Sequence, residues 1–278
     1  MGTTDSVTQG SDPPGWLPAH TAGLVALVAG AGLTAIDVRL TAIPLGLFLL
    51  ACVVAPFVPR WRFFGTTLTR GRPDGKSVAL TFDDGPHGPT TGPLLDLLRE
   101  RGVRAAFFVI GNHAAAYPEL IRRMVREGHE VANHSASHPV FLMLRSPSTV
   151  AAEIANCNAA LEPLGVRPLA FRPPVGIVSP RLWPALRRHG MFAVGFSRRA
   201  GDFGNRRVRG LADRLLRRTR AGDILLLHDG HLESDAGVRE WLAEVSRVLD
   251  GLAERGLVAR PLSELLGRPL ASTVVTRQ

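Results

Sequence analysis

A chain of 278 residues that is 45% apolar has ample material for one large core with an appendage, so disorder is not the default. The formal charge of +9 would suit nucleic acid or an anionic membrane, but Lys76 is the only lysine and no basic segment with interleaved aromatics is present, so nucleic acid is not an expected partner. Two cysteines, Cys52 and Cys157, cannot build a disulfide framework.

Residues 1–15 read as a polar tail and 16–59 as a membrane anchor. Pro13 to Ile36 and Leu40 to Pro59 both lack Asp, Glu, Lys and Arg, and each approaches the ~20 residues that cross a hydrocarbon core. Asp37-Val38-Arg39 would then be a tight turn between two transmembrane helices; the second stretch is the stronger candidate, because the first is rich in Gly and Ala and contains Pro18 and His20. A cleaved signal peptide is the competing reading, but no Lys or Arg precedes the first stretch and no clear small-x-small site follows the second. The expected location is therefore the cell membrane. Arg60, Arg62, Arg70, Arg72 and Lys76 crowd a basic linker, 60–76, and by the positive-inside rule they favour the cytoplasmic side for the C-terminal domain.

From Ser77 the pattern changes to short apolar runs alternating with amphipathic ones, the signature of βα repeats. Seven strands are expected, at about Val78–Phe82, Ala105–Ile110, Glu130–Asn133, Leu169–Arg172, Phe192–Phe196, Ile224–His228 and Leu257–Arg260. Helices are expected between them at Leu94–Arg101, Pro118–Glu127, Thr149–Leu161, Arg181–His189, Leu211–Thr219 and Val238–Arg255. Parallel strands with crossover helices make an α/β barrel or an open sheet. Asp83, Asp84, His134, Arg172, Asp202 and His228 all fall at or just beyond C-terminal strand ends, and in a βα barrel those ends share one face.

Thr81-Phe82-Asp83-Asp84-Gly85-Pro86 ends the first strand with adjacent carboxylates, so one can hold a metal while the other takes a proton; by itself, Asp-Gly-Pro after a strand also reads as a plain turn. His134-Ser135-Ala136-Ser137-His138-Pro139 sets two imidazoles four apart, able to converge on one ion if the loop begins a helical turn, or to be two surface histidines. Two His and one Asp form a facial set with open positions, and a metal there lowers the pKa of water and polarises a carbonyl.

These two segments, together with Phe171-Arg172-Pro173-Pro174-Val175-Gly176 and Leu226-Leu227-His228, resemble in order and spacing the motifs of the polysaccharide deacetylase, or NodB-homology, family over roughly Ser77 to Leu266. The resemblance implies a catalytic domain, 77–267, with a deformed (β/α)7 barrel, followed by a C-terminal tail, 268–278. It implies one divalent metal ion, in this family most often zinc, on Asp84, His134 and His138. Asp83 would be the catalytic base and Arg172 would hold it ionised. Val175 would offer its backbone N–H to the oxyanion, Leu226 would line the acyl pocket, and His228 would be the general acid, oriented by Asp202. Where the family shows Asp-x-x-Asp-Trp, this chain reads Arg199-Ala200-Gly201-Asp202-Phe203, which puts substrate contacts near Arg199 and Phe203 in doubt.

The implied activity is metal-dependent removal of N-acetyl groups from amino sugars in a cell-envelope polysaccharide or a lipid-linked glycan. A deformylase, an O-acetyl esterase, and a catalytically silent carbohydrate-binding barrel are the alternatives. Asp229 reads as a turn or capping residue, and His87, His113 and His129 as loop or packing residues. The arginines at 206, 207, 209, 214, 217, 218 and 220 read as a solvated helix face or as contacts to anionic headgroups or to the phosphate of a lipid-linked sugar, with membrane lipid as partner. Sugar identity and oligomeric state are not legible.

Overall fold

The computed structural model describes residues 16–72 and 74–273; the expected polar tail and the last residues of the C-terminal tail lie outside them. Two apolar helices come first, α1 (Pro18–Thr34) and α2 (Ala42–Val54), joined by a tight turn in which Asp37 Oδ1 accepts the Arg39 N–H at 2.8 Å. Gly23 and Gly30 let them approach: a Cβ at Gly30 would lie 3.3 Å from Thr41 Cγ2, and one at Gly23 would lie 3.2 Å from the Phe48 ring. With its flanking 3-10 turns the second helix makes a continuous apolar run, Val38–Phe57, of 20 residues, long enough to cross a bilayer; α1 has 17 residues and is shorter. The hairpin's open end is tied to the following domain, because Val178 N–H donates to the Pro56 carbonyl at 3.1 Å and Ala19 N–H to that of Phe63 at 3.1 Å.

Next come β1 (Thr67–Leu68), β2 (Ser77–Asp83), α3 (Gly88–Glu100), β3 (Ala106–Val109), α4 (Gly111–Ala116), α5 (Pro118–Arg126) and β4 (Glu130–Asn133). These are followed by α6 (Pro147–Leu161), β5 (Val166–Pro168), β6 (Ala170–Phe171), α7 (Leu182–Arg188), β7 (Phe192–Val194) and β8 (Arg198–Arg199). The domain ends with α8 (Leu211–Leu216), β9 (Ile224–His228), α9 (Asp235–Glu254), β10 (Val258–Ala259), α10 (Leu262–Leu266) and β11 (Ala271–Thr273). The hydrogen-bonded order is β1-β7-β6-β4-β3-β2-β9-β8, with parallel pairing throughout.

This wall is a half-barrel. Its edges are bridged by chain continuity, since 192–199 is one extended segment that pairs with β6 at its start and with β9 at its end. Gly195, at the crossover, lies so close to β1 that a Cβ there would be 3.0 Å from Thr69 Cγ2. All seven expected strands form, but the seventh is not a stave between its neighbours: β10 pairs only with the start of β2, Val258 against Ser77. The linker is not loose either, because β1 pairs with β7 and Gly65 packs on Trp183. Beyond 267 the chain stays in the fold: Leu270 is buried and β11 pairs antiparallel with β5.

Strand alternation decides what faces where. Along β2, Val78, Leu80 and Phe82 pack outward against a cluster containing Leu94, Leu98, Trp241 and Val245, while Ala79 joins the inner cluster with Ala106, Phe108, Ala132 and Ala170. Small alanines inside leave room near the mouth for polar groups. Outside, Trp241 is fully buried with its ring edge-on to Phe82 at 6.5 Å. Truncating Trp241→Ala should destabilise the domain by about 3–5 kcal/mol, read as a lowered thermal midpoint. Trp241→Phe should cost much less, because the indole N–H has no hydrogen-bond partner to lose.

Candidate active site

The register of β2 with β9 sets Asp83 directly beside His228, and that of β4 with β6 sets Asn133 beside Phe171, so their successors His134 and Arg172 reach the same rim. Every expected site residue except Arg172 lines one cleft of 510 Å³ there. Arg172 lies beneath it, 1% exposed. Its Nη1 donates to Asp83 Oδ1 at 2.6 Å and to Thr81 Oγ1 at 2.9 Å, its Nη2 donates to the Gly195 carbonyl at 2.9 Å, and its guanidinium stacks over Phe108 at 3.8 Å. A guanidinium with so many fixed partners holds the Asp83 carboxylate in one orientation.

Asp84 points elsewhere, because the backbone turns at it. Its φ is 76°, in the left-handed region, and the Gly85–Pro86 peptide is cis. Three contacts hold this loop. His113 Nδ1 donates to the Asp84 carbonyl at 2.8 Å, Ile110 N–H donates to the Gly85 carbonyl at 2.9 Å, and Asp229 lies against Gly85, where a Cβ would come 2.5 Å from Asp229 Oδ2. Asp229 is fully buried and accepts from Thr90 Oγ1 and Thr91 Oγ1 at 2.6 Å each; burial pushes its carboxyl up to about 6 against the pull of those hydroxyls. It therefore clamps the start of α3 to the carboxylate loop, a role more specific than the turn or capping residue expected from the sequence. The only trace in the sequence was its place directly after His228.

Donor atoms of Asp84, His134 and His138 all lie within 4.8 Å of one another. Asp84 Oδ1 is 3.5 Å from His134 Nε2 and 3.4 Å from His138 Nε2, close to the ~3.3 Å edge of a tetrahedron of ligands about 2.0 Å from one ion. That same oxygen is buried with no hydrogen-bond partner among the described residues. His134 Nδ1 donates to the Arg172 carbonyl at 2.7 Å, which fixes the tautomer and leaves Nε2 facing the carboxylate, the outer-shell arrangement common to metal-ligating histidines. Burial alone would raise the Asp84 carboxyl, but the close approach of His134 and the charges of His134, His138 and His228 hold it well below the usual carboxylate range. The three residues fit a divalent cation.

Across the cleft His228 Nδ1 donates to Asp202 Oδ1 at 2.9 Å. Burial works against the charged imidazole, but this bond, the Asp202 charge and the nearby Asp83 and Asp84 push its pKa up to about 9. Asn205, missed in the sequence reading, donates through Nδ2 to the carbonyls of His228 and Gly230 at 2.9 and 3.1 Å and so anchors the strand end. Leu226 is 5% exposed on the cleft wall, and Val175, φ 52° between Pro174 and Gly176, turns the loop that forms the opposite lip. Among the other histidines, His129 accepts the Ala105 N–H through Nδ1 at 3.1 Å and His87 meets Glu233 at 3.1 Å, both outside the cleft.

Because Asp229 leaves no space at Gly85, Gly85→Ala should displace the carboxylate loop and weaken binding of zinc about 10–100-fold by titration calorimetry. His134→Ala should weaken it further.

Comparisons with known proteins agree with this geometry. Residues 70–194 match the family model described as polysaccharide deacetylase. The chain is 37% identical over 208 residues to a chitooligosaccharide deacetylase of Sinorhizobium fredii, covering 71% of this chain and 95% of that protein. It is 32% identical over 193 residues to a peptidoglycan-N-acetylglucosamine deacetylase of Bacillus cereus, covering 69% and 88%. Among solved structures, a family 4 carbohydrate esterase from Streptomyces lividans in complex with acetate superposes with a TM-score of 0.61 at 32% identity, over 72% of this chain and 100% of that one. The chain belongs to the polysaccharide deacetylase family.

Proposed function

We propose that the chain is a membrane-anchored, metal-dependent hydrolase that removes N-acetyl groups from the amino sugars of a glycan. The observation that carries this reading is the division of the carboxylate pair: Asp84 turns to His134 and His138, while Asp83 is held by Arg172. The relatives named chitooligosaccharide and peptidoglycan-N-acetylglucosamine deacetylases support the glycan as substrate class.

Asp84, His134 and His138 would hold one divalent ion, zinc by the family resemblance, which when bound would supply the Lewis acidity to activate water and polarise the amide carbonyl. Asp83 takes the proton of the attacking water, its orientation fixed by Arg172 so that the carboxylate does not swing away. The oxyanion that develops is met by the backbone N–H of Val175, and the acyl methyl lodges against Leu226. His228, kept protonated by Asp202, gives its proton to the departing amine. Acetate and a free amino sugar leave.

The anchor is read from the α1–α2 hairpin. Leu24, Leu27, Leu47 and Leu50 are exposed along it, and Trp16, Phe57 and Trp61 are exposed near its open end, where aromatic side chains gather at a membrane surface. The arginines following α2 favour the cytoplasmic face for the catalytic domain, which C-terminal reporter fusions would test.

Asp83→Asn and His228→Ala should each lower kcat on N-acetylated oligosaccharides by about 10²–10⁴-fold, read by mass spectrometry of the freed amines. A metal-loaded wild type that left chito-oligosaccharides, peptidoglycan fragments and lipid-linked amino sugars intact would overturn the reading. Parallel assays with N-formyl and O-acetyl substrates separate the deformylase and esterase alternatives.

The general acid acts protonated, so activity should fall as pH rises through about 9. Asp202→Asn removes the main support of the charged imidazole, so the alkaline limb of the kcat profile should move to lower pH, and an unmoved limb would assign the acid elsewhere.

A further inference from the structure

The seam of the half-barrel holds a second groove, of 550 Å³, that meets the catalytic cleft along a shared wall of Val175, Gly176, Phe196 and Arg199. Its lining includes five arginines, Arg60, Arg70, Arg198, Arg199 and Arg220, and no carboxylate. Two of the five are committed: Arg70 pairs with Asp223, and Arg198 Nε lies 3.0 Å from the same carboxylate. The other three, Arg60, Arg199 and Arg220, are exposed, and none has a side-chain ion pair or hydrogen bond among the described residues. Three unpaired guanidiniums on the wall of one groove repel one another, an arrangement that an anion relieves. One apolar edge comes from the end of the hairpin, Phe57, Val58 and Pro59, beside Thr67, Thr69 and Ser197. Arg199 stands where the sequence motif leads one to expect an acid, so the charge at the boundary between the two cavities is reversed.

The arginine helix itself is a poorer anion site. Arg214 is occupied within its own loop, donating to the carbonyls of Ala200, Arg209 and Arg207 at 2.6–2.7 Å. Arg217 and Arg218 are exposed but line neither cavity.

We propose that the seam groove is a subsite for the phosphate of an amino sugar carried on a lipid phosphate. The sugar would occupy the catalytic cleft, the phosphate would be held by Arg60, Arg199 and Arg220, and the lipid chain would leave past Phe57 and Val58 along α2. Arg is suited to this because its planar fork of N–H donors matches phosphate oxygens. This assignment rests on the deacetylase reading for the sugar in the cleft, and it selects the lipid-linked glycan over the polymer.

The test is binding without turnover, on the full chain in detergent micelles. Farnesyl phosphate should bind at least roughly tenfold more tightly than farnesol, the difference expected of hydrogen bonds to a charged group. Combined substitution of the three exposed arginines, Arg60→Gln, Arg199→Gln and Arg220→Gln, should abolish that preference, whereas Arg217→Gln with Arg218→Gln should retain it. The proposal is overturned if the wild type does not distinguish the two ligands, or if the Arg217 and Arg218 substitutions erase the preference equally. It is likewise overturned if inorganic phosphate displaces farnesyl phosphate at equal concentration, since the site would then take a free anion. Deacetylation of a chito-oligosaccharide by the wild type is followed in parallel: hydrolysis without phosphate preference removes the subsite alone, and phosphate preference without hydrolysis of any N-acetyl glycan supports the subsite and counts against the deacetylase reading.

Discussion

The contact between Arg172 and Asp83 is the constraint around which the domain is built. A guanidinium with 1% exposure inside a barrel of alanines is tolerable only with a carboxylate and several carbonyl or hydroxyl acceptors around it, and removing one partner of such a pair typically costs on the order of 3–5 kcal/mol. Thr81, Asp83 and the Gly195 carbonyl supply those acceptors from two separate walls. The carbonyl of Arg172 in turn receives His134 Nδ1, so the same residue orients the proposed base through its side chain and a proposed metal-ligand histidine through its backbone. Charge satisfaction in the core and geometry at the mouth are thus one network.

Much of this was legible in the sequence. Buried parallel strands are short apolar runs, and each expected strand appears within a few residues of its place. The four motifs ended on polar residues at the strand tips, and parallel register brought those tips together. What could not be read was anything that depends on which edges meet. The extended segment 192–199 looked like one strand ending at Phe196, and nothing local announced that it changes partners at Gly195. α3 begins earlier than expected, because Gly92 and Pro93, which lie inside it, read in sequence as helix breakers, whereas Pro89 sits at the helix start where proline is tolerated.

The supports of the site were less visible than the site. His113 and Asn205 bond to backbone carbonyls of Asp84 and His228, and Asp229 fills the space beside Gly85 while bonding to Thr90 and Thr91; such contacts leave no spacing pattern in sequence. Arg214 shows the opposite error. It sat in an arginine run that looked like a solvated face, yet its guanidinium is spent on three backbone carbonyls that shape the 200–210 loop. A count of charges along a helix cannot tell a free cation from one that has become part of a turn.

The hydrogen bond from Val178 to the Pro56 carbonyl has a mechanical meaning. It joins the last turn of the apolar hairpin to the loop after Val175, on the lip of the cleft. Were the hairpin embedded as proposed, the cleft could not range through the surrounding volume as a domain on a long tether would. On the proposed anchor it would work at one height and in one attitude, so its choice of substrate would be set by where a sugar sits above the bilayer as much as by which sugar it is.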